Sequence, residues 1–436
     1  MSKQNQKIGL ITATSLVVGN MIGSGIFVLP ANLAKYGSIG LVGWIFTAAG
    51  ALVLAKIFSN LSKIIVNKSG GPYIFAKEGF GDFIGFLVAW GYWISVWVTN
   101  AGIAVAIVSA LTVFFPDLQT NRLLAVLVGL AFIWLFTWVN IKGVKSSGKI
   151  QVVTTVFKLL PLILIILAGL FFIDINNFPE FNISESSNIE AFSAVATLTL
   201  FAFLGIEVAT IPAENVDNPE KTVPRATMLG TTIVTLVYIL STVVLFGILP
   251  VEQLMNSPAP FAEAGKIIGG EYAGYIVAAG AAISAIGALN GWILIAGQLP
   301  MATAKDGMFP RLFKKQNKNQ APLIGLIIGS VLSSVVMLMN FSESLIDQFE
   351  FMVLLTTLTC LVPYLFVAAA YVLITLNKGI FKNNKSSIVV LSTLGFAYSL
   401  WAIYGSGSNT VFYGLLLLLA GIPFYILMKY NQRNSN

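Results

Sequence analysis

The sequence predicts an all-α membrane protein with about twelve membrane-spanning helices. Three observations support this fold class: few charged residues, twelve long apolar segments, and a strong bias of basic residues towards alternate connections. The 436 residues are 57% hydrophobic and 10% charged, with a mean hydropathy of +0.86. A soluble domain carries about 25% charged residues. The lipid bilayer is therefore the expected surrounding of this chain.

The apolar segments are long enough to cross a bilayer as helices, which takes about 20 residues. They are too long and too uniformly apolar for the strands of a β-barrel, the other structure that satisfies the backbone in lipid. The connections 69–82 and 251–270 should form short helices on the cytoplasmic and outer faces. The predicted spans are residues 8–34, 39–61, 83–114, 122–141, 150–173, 191–213, 226–249, 272–303, 322–340, 348–377, 386–405 and 410–429.

Basic residues set the expected orientation. Of the 25 Lys and Arg residues, only Lys35, Arg122 and Lys266 fall in connections predicted to lie outside, and Lys56 and Lys158 fall within spans. All the others lie in segments that are cytoplasmic if the N-terminus is inside. Such an excess is typical of cytoplasmic loops. The sequence thus predicts a multi-pass protein of the cell (inner) membrane with both termini in the cytoplasm.

Composition also narrows the function. The net charge of +7 follows this topology and does not indicate nucleic acid. With no histidine and a single cysteine, Cys360, we expect no metal site and no cofactor. A membrane enzyme would need clustered acids or histidines at depth, and only one acid, Glu207, lies well inside a span. A secondary transporter is therefore favoured over an enzyme, and a channel remains the alternative.

The first span contains a small-residue cluster, Gly23-Ser24-Gly25, near its middle. Secondary transporters bind substrates at the bilayer midplane, where interrupted helices leave backbone groups free for the ligand. The amides of a half helix starting near Ile26 would face an anion at the positive end of the helix dipole. The alternative is close packing of helices by small residues, which is common in membranes.

The sixth span holds a second candidate interruption, at Phe203-Leu204-Gly205-Ile206-Glu207. Five spans separate the two interruptions, as expected for an inverted repeat of spans 1–5 and 6–10. Repeat one would cover about 8–173 and repeat two about 191–377, followed by two extra helices over about 386–429. The whole chain, 1–436, would then be one transport domain.

Two ionisable residues lie deep inside predicted spans, where charge is costly and usually functional. Lys56 lies nearer the end of its helix, from which its ammonium group can reach the interface. Glu207 follows the second interruption, and we expect a role in coupling or gating; a hydrogen-bonded structural carboxyl group is the alternative. Lys158 lies about eight residues, or about 12 Å, from the inner end of span five. Its ammonium either extends to the interface or is a buried amine, and the second interpretation is favoured.

Several motifs resemble the amino acid–polyamine–organocation transporters, and the resemblance covers nearly the whole chain. It is closest to the bacterial arginine/agmatine and putrescine/ornithine antiporter branch. The motifs are Gly-Asn-x-x-Gly-Ser-Gly-Ile-Phe-x-Leu-Pro at 19–30, Ser-Gly-Gly-Pro-Tyr at 69–73, Phe-Leu-Gly-Ile-Glu at 203–207, Asn-Pro-Glu-Lys-Thr-Val-Pro-Arg-Ala at 218–226, Gly-Trp-Ile-Leu-Ile-Ala-Gly-Gln at 291–298 and Leu-Val-Pro-Tyr at 361–364.

The resemblance implies a leucine-transporter-like fold with helices 1 and 6 broken, and it implies the following site. The substrate carboxylate would meet Ser24 and the amides of Gly25 and Ile26 in the first interruption, which includes Gly23. The α-amino group would meet the carbonyls of Met21, Phe201 and Leu204. The remaining contacts implied are Asn100 and Thr356 around the substrate side chain, Trp292 packed over the substrate, and Tyr92 in gating.

Two departures from the arginine/agmatine antiporters bear on the substrate. Those proteins have tryptophan at the position of Phe201, and phenylalanine is a weaker cation–π partner. They also lack a lysine at the position of Lys158. A lysine at this position resembles proton-coupled or sodium-independent amino acid permeases. We therefore expect an amino acid antiporter or proton-coupled permease, with small amino acids or amines and protons as partners and a homodimer as a possible assembly. Arginine/agmatine or polyamine/ornithine exchange is the alternative.

Overall fold

The computed structural model describes residues 7–23, 25–66, 68–257, 259–339, 345–405 and 408–433. These residues are helical apart from turns, connections and one isolated β-bridge. The α-helices are α1 (Leu10–Met21), α2 (Gly25–Ala34), α3 (Ile39–Ile64), α4 (Pro72–Phe80), α5 (Asp82–Leu111), α6 (Asp117–Thr120), α7 (Arg122–Ile141), α8 (Val144–Gly169), α9 (Asn188–Phe201), α10 (Pro219–Ile248), α11 (Val251–Asn256), α12 (Pro260–Lys305), α13 (Leu323–Met339), α14 (Leu345–Asn377), α15 (Phe381–Gly405), α16 (Ser408–Leu419) and α17 (Gly421–Arg433).

The described residues include nine stretches that are long and apolar enough to cross a membrane. The apolar helices α1, α9 and α13 are shorter. Helix α13 matches the predicted span 322–340, whereas α1 and α9 cover only part of the predicted spans 8–34 and 191–213. The structure therefore agrees with an all-helical, multi-pass membrane protein, and the count of twelve spans stays a prediction. The nine stretches are Ile39–Ile64, Asp82–Leu111, Arg122–Ile141, Gly148–Phe172, Pro219–Ile248, Pro260–Lys305, Leu358–Asn377, Asn384–Gly405 and Val411–Tyr430.

The first predicted span is interrupted between α1 and α2. Helix α1 ends at Met21, and Ile22 leaves the helical conformation with φ −77° and ψ 85°. Helix α2 begins at Gly25 and contains Pro30. Ser24 lies outside the described residues. Pro30 is the sixth residue of α2 and has no amide to donate to the carbonyl group of Ile26, four residues earlier.

The sixth predicted span is helical only in its first half. Helix α9 ends at Phe201, and residues 202–207 form consecutive turns before a short 3₁₀-helix at Val208–Thr210. Gly205 takes a left-handed φ of +109°, which a side chain would disfavour. The sequence indicates the glycine as the break, but the α-helix ends four residues earlier, so the non-helical segment is longer than the glycine alone suggests.

Two predicted connecting helices are also present in a modified form. Helix α4 forms within 69–82, beginning with Pro72 at its first turn. The single helix expected over 251–270 is instead α11 followed by the start of α12, which is kinked at Gly269 and Gly270. Gly270 has φ +76°. The kink separates a short helix from the long apolar part of α12.

Glycines allow very close packing of α8 against α12. A Cβ atom at Gly280 would lie 2.4 Å from Pro161 Cγ, and one at Gly287 would lie 2.5 Å from Thr154 Oγ1. Small residues bring membrane helices together in this way. The contact places Lys158 of α8 directly beside α12 and the end of α1, and so positions it for the site described next.

Candidate functional site

Side-chain donors hold the backbone at the end of α1. Consecutive carbonyl groups here each accept at least one hydrogen bond from a side chain on another helix. The donors are Lys158 Nζ to Gly19 O (2.8 Å), Trp292 Nε1 to Asn20 O (3.1 Å), Tyr238 Oη to Met21 O (2.6 Å), Lys158 Nζ and Ser284 Oγ to Ile22 O (2.6 and 3.1 Å), and Ser284 Oγ to Gly23 O (3.0 Å). The last carbonyls of a helix have no intrahelical donor, and these contacts satisfy them.

One hydroxyl group joins the two interruptions. Tyr238 of α10 is fully buried, and its Oη lies 2.6 Å from Met21 O and 3.1 Å from Ala202 O. Its ring packs against Trp44 and Phe203, with centroids 5.0 and 5.5 Å away. The C-terminal ends of α1 and α9 therefore meet at a single point. Both ends carry partial negative charge, which favours a cation nearby.

The N-terminal end of α2 supplies the complementary charge. The first amides of a helix, here those of Gly25 and Ile26, have no intrahelical acceptor and carry partial positive charge. A Cβ atom at Gly25 would lie 3.3 Å from Phe201 Cε1, so the Phe201 ring lies over this helix start. A Cβ at Gly23 would only make an ordinary 3.5 Å contact with Ala288, so close packing does not require glycine there.

Lys158 is the buried amine that the sequence favours. Its side chain is fully buried, and its ammonium group contacts the carbonyls of Gly19 and Ile22 rather than reaching the interface. Two carbonyl oxygens within 2.8 Å are the type of surrounding that stabilises a monovalent cation. The ammonium group therefore bridges the last turn of α1 to α8.

Glu207 lies in the second interruption and is fully buried. Its two carboxyl oxygens accept hydrogen bonds from the hydroxyl groups of Tyr92 on α5 and Tyr364 on α14. Tyr364 Oη also lies 3.4 Å from the amide of Gly205. The network connects the non-helical part of the sixth span to α5 and α14. A change in the protonation of the Glu207 carboxyl group would therefore alter the hydrogen bonds that hold these three segments together.

The remaining sequence-predicted residues lie in the same buried interior. Leu204 is buried within the turns after α9, and Trp292 of α12 contacts the first interruption through Asn20 O. Thr356 of α14 accepts a 3.3 Å hydrogen bond from Thr99 of α5. Asn100, next to Thr99, is 1% exposed, and neither of its side-chain polar atoms has a hydrogen-bond partner among the described residues.

Four residues at the site were missed by sequence reasoning: Asn20, Tyr238, Ser284 and Tyr364. Asn20 is buried beside Gly205 and Gly291, and its amide has no hydrogen-bond partner in the described part of the chain. Asn20 and Tyr364 stand inside motifs quoted above, and their polarity within apolar spans was a usable signal. Tyr238 and Ser284 gave none, because tyrosine and serine are ordinary in membrane helices.

Comparison with known proteins identifies the family of the chain. The sequence model of the amino acid permease family matches residues 8–423. The chain is 34% identical to an arginine/agmatine antiporter of Chlamydia pneumoniae, with 100% of the chain and 92% of the relative aligned. It is 33% identical to an arginine/ornithine antiporter of Pseudomonas aeruginosa (98% and 92%) and 32% identical to the putrescine transporter PotE of Haemophilus influenzae (99% and 99%).

Proposed function

The chain belongs to the amino acid permease family, and we propose that it is a secondary active transporter that exchanges amino acids across the cell membrane by alternating access. The observation that carries this proposal is the meeting of two helix ends at Tyr238. Two partially negative ends, at Met21 and Ala202, and the partially positive start of α2 lie around one point. The ammonium group and the carboxylate of an amino acid are both attached to Cα, and their charges are complementary to these helix ends.

We assign the substrate contacts as follows. The carboxylate meets Ser24 and the amides of Gly25 and Ile26, and the ammonium group meets the carbonyls of Met21, Phe201 and Leu204. This part of the site binds the carboxylate and the ammonium group, which all amino acids share. Selection then falls to the residues around the substrate side chain, which are Asn100, Phe201, Trp292 and Thr356.

An amino acid with an uncharged side chain fits this site best. Among the described residues at the two interruptions, Glu207 is the acid, and both of its oxygens are engaged by tyrosine hydroxyl groups. A second ammonium or a guanidinium group would need a carboxylate of its own. Phe201 also offers a weaker cation–π surface than tryptophan would.

The runner-up is exchange of arginine for agmatine or ornithine, or of polyamines. The specific observation in its favour is identity of 32–34% over nearly the full chain to antiporters and a transporter with these names. Release of Glu207 from one tyrosine would give a second cationic group a partner. The two candidates share the exchange reaction and differ in the charge of the cargo.

Lys158 and Glu207 are proposed to couple transport to protons, with Tyr92 in the gate. Loss of the proton from Lys158 would remove the positive charge from the group that donates hydrogen bonds to the carbonyls of Gly19 and Ile22. The end of α1 would then be released from α8. Rocking of the elements that contain α1, α2 and α9 against the others is the proposed transport movement.

The topology is proposed from the distribution of basic residues and the spacing of the two interruptions. Both termini lie in the cytoplasm, as the distribution of Lys and Arg favours. The chain forms two inverted repeats, about 8–173 and 191–377, plus two further helices, and a homodimer is the assembly to test first.

Counterflow tests the function directly. Purified protein in liposomes preloaded with one unlabelled compound is offered a labelled trace of the same compound, over the twenty amino acids, agmatine, ornithine and putrescine. Trans-acceleration by an uncharged amino acid supports the leading proposal, and acceleration only by arginine, agmatine or diamines supports the runner-up. Uptake that neither saturates nor responds to preloading would indicate a channel and contradict both.

A further inference from the structure

The face of the molecule predicted to be cytoplasmic carries a second set of contacts that the substrate site does not use. Five side chains form it: Tyr73 and Lys77 of α4, Glu214 after the second interruption, and Lys305 and Asp306 at the end of α12. We propose that these residues form an inner latch that holds the cytoplasmic entrance closed and must open before substrate leaves inwards. This inference rests on the proposed alternating-access function.

One half of the latch crosses from the second interruption to α12. Lys305 Nζ lies 2.6 Å from the carboxylate of Glu214, and both side chains are about two-fifths exposed. Glu214 is in the short 3₁₀-helix Ala213–Asn215, which continues the chain from the interruption. The ion pair therefore joins the chain that follows α9, which moves in the proposed mechanism, to the long helix α12.

The other half connects α4 to the same end of α12. The Tyr73 hydroxyl donates to Asp306, and Lys77 Nζ lies 3.4 Å from the same carboxylate. Burial, and next the hydrogen bond to Asp306, raise the pKa of the Tyr73 hydroxyl, so it stays protonated and remains a donor. Asp306 thus accepts a hydrogen bond from Tyr73 and forms an ion pair with Lys77, both on one short helix.

The start of α4 is tied in turn to the second interruption. The amide of Gly70 donates to Ile211 O at 3.0 Å, and the amide of Glu214 donates to Ser69 Oγ at 3.1 Å. Gly71 has φ +58°, and a Cβ atom there would lie 2.8 Å from Ile211 Cγ1, so only glycine permits this approach. The latch therefore links three elements pairwise: α4, the segment after the second interruption, and α12.

The N-terminal segment is also joined to the chain that leaves the second interruption. Ile8 pairs with Val216 in an isolated parallel bridge, with hydrogen bonds of 2.9 Å from Ile8 N to Asn215 O and from Asp217 N to Ile8 O. The chain entering α1 and the chain leaving the second interruption are therefore joined. Opening the latch would release both interruptions at their predicted cytoplasmic ends together.

The opposite end of the molecule is closed differently. The ion pair found there among the described residues, Lys266–Glu271, links neighbours within α12. Contact between α2 and the start of α12 is apolar, with the rings of Phe27 and Phe261 5.2 Å apart. The outer connection is held by hydrogen bonds to backbone carbonyls, such as Ser38 Oγ to Pro179 O and Asn177 Nδ2 to Gly247 O. Among the described residues, the ion pairs that join α12 to other elements therefore lie on the predicted cytoplasmic face, where we place the latch.

Thiol labelling tests the latch without a substrate. Ala302 is 4% exposed on α12, and a Cβ atom at Gly70 would lie 3.6 Å from its Cβ, so a cysteine there is covered while the latch is closed. Ala302→Cys is labelled with a charged maleimide in inside-out vesicles. Cys360, the native cysteine, is buried. The parent protein, which lacks Ala302→Cys, gives the background labelling rate of Cys360.

Breaking the ion pair should speed labelling. Lys305→Gln or Glu214→Gln is expected to raise the labelling rate about fivefold, which corresponds to about 1 kcal/mol, the upper value for an exposed ion pair. Asp306→Asn should act in the same direction. The charge exchange Glu214→Lys with Lys305→Glu should return the rate towards that of the unmodified latch. Glu271→Gln, which removes an ion pair within α12, is the matched control and should leave the rate unchanged.

Three results would overturn the latch: equal rates in all variants, an increase of the same size in Glu271→Gln, or no recovery in the exchanged pair. Thermal unfolding of each variant separates opening from loss of fold, since a latch variant keeps its melting temperature within a few degrees of the parent. Counterflow by the parent protein is measured separately. Its absence would contradict the proposed function and leave the labelling result to report on the latch alone.

Discussion

Removal of one hydroxyl group should separate the two interruptions. Tyr238→Phe keeps the ring, and therefore its packing against Trp44 and Phe203, and deletes the oxygen that lies 2.6 Å from Met21 O and 3.1 Å from Ala202 O. Without a shared proton, the two carbonyl groups repel each other. We expect the helix ends to move apart and the substrate ammonium group to bind less well.

The contacts at Met21 set the size of the effect. A buried carbonyl that loses its donor costs about 1–3 kcal/mol, or about 5- to 160-fold in an equilibrium constant. Met21 O keeps a second donor, the amide of Gly23 at 2.9 Å. We therefore expect the lower part of this range, an increase in KM of about 5- to 20-fold, with a smaller change in kcat because no gating contact is lost.

The assay is the initial rate of exchange in liposomes at several substrate concentrations. Tyr398→Phe is the matched control, since Tyr398 is also a buried tyrosine whose hydroxyl approaches a backbone carbonyl, Thr47 O, at 3.4 Å and away from the interruptions. Its KM should change by less than about twofold. A lower KM in Tyr238→Phe would refute the reasoning, because the hydroxyl would then compete with the substrate for Met21 O.

Three further predictions concern coupling and selectivity. Lys158→Ala should abolish the dependence of uptake on pH, because it removes the amine that contacts Gly19 and Ile22; unchanged pH dependence would restrict Lys158 to a structural role. Glu207→Gln should lower kcat by about 13- to 160-fold with less change in KM, since one charge-assisted hydrogen bond to tyrosine is worth about 1.5–3 kcal/mol. Initial rates measure both constants, and a change confined to KM would contradict the gating role. Phe201→Trp should favour cationic over uncharged substrates by a few fold in competition assays, because tryptophan is the better cation–π partner; equal inhibition by both classes before and after the change would place Phe201 away from the substrate side chain.

Local sequence signals were sufficient for much of the fold. The span expected over 122–141 is helix α7, Arg122–Ile141, and the glycine cluster marked the interruption between α1 and α2. Hydropathy and glycine placement are local properties, so they can be read without knowing which helices are neighbours. The burial of Lys158 followed for the same reason, from its depth within an apolar segment.

Long-range partners determine what the sequence did not reveal. Helix α9 ends at Phe201 rather than at Gly205, and the first carbonyl beyond its end, Ala202 O, lies beside Tyr238 of another helix. The side-chain donor for Met21 O, Tyr238, is likewise 217 positions away in the chain. Hydrogen bonds of this kind depend on which helices pack together, and a single sequence does not encode them in any local pattern.

The central claim is that the substrate binds where the two interruptions meet, and Gly25→Trp tests it most directly. A side chain at Gly25 would begin 3.3 Å from the Phe201 ring and fill the space at the start of α2. Gly9→Trp is the control, because a Cβ atom at Gly9 has nothing within 4 Å. We predict that Gly25→Trp abolishes substrate-induced thermal stabilisation and counterflow while the protein elutes and melts like the parent. Normal counterflow by the folded variant would contradict the site proposed between α1, α2 and α9.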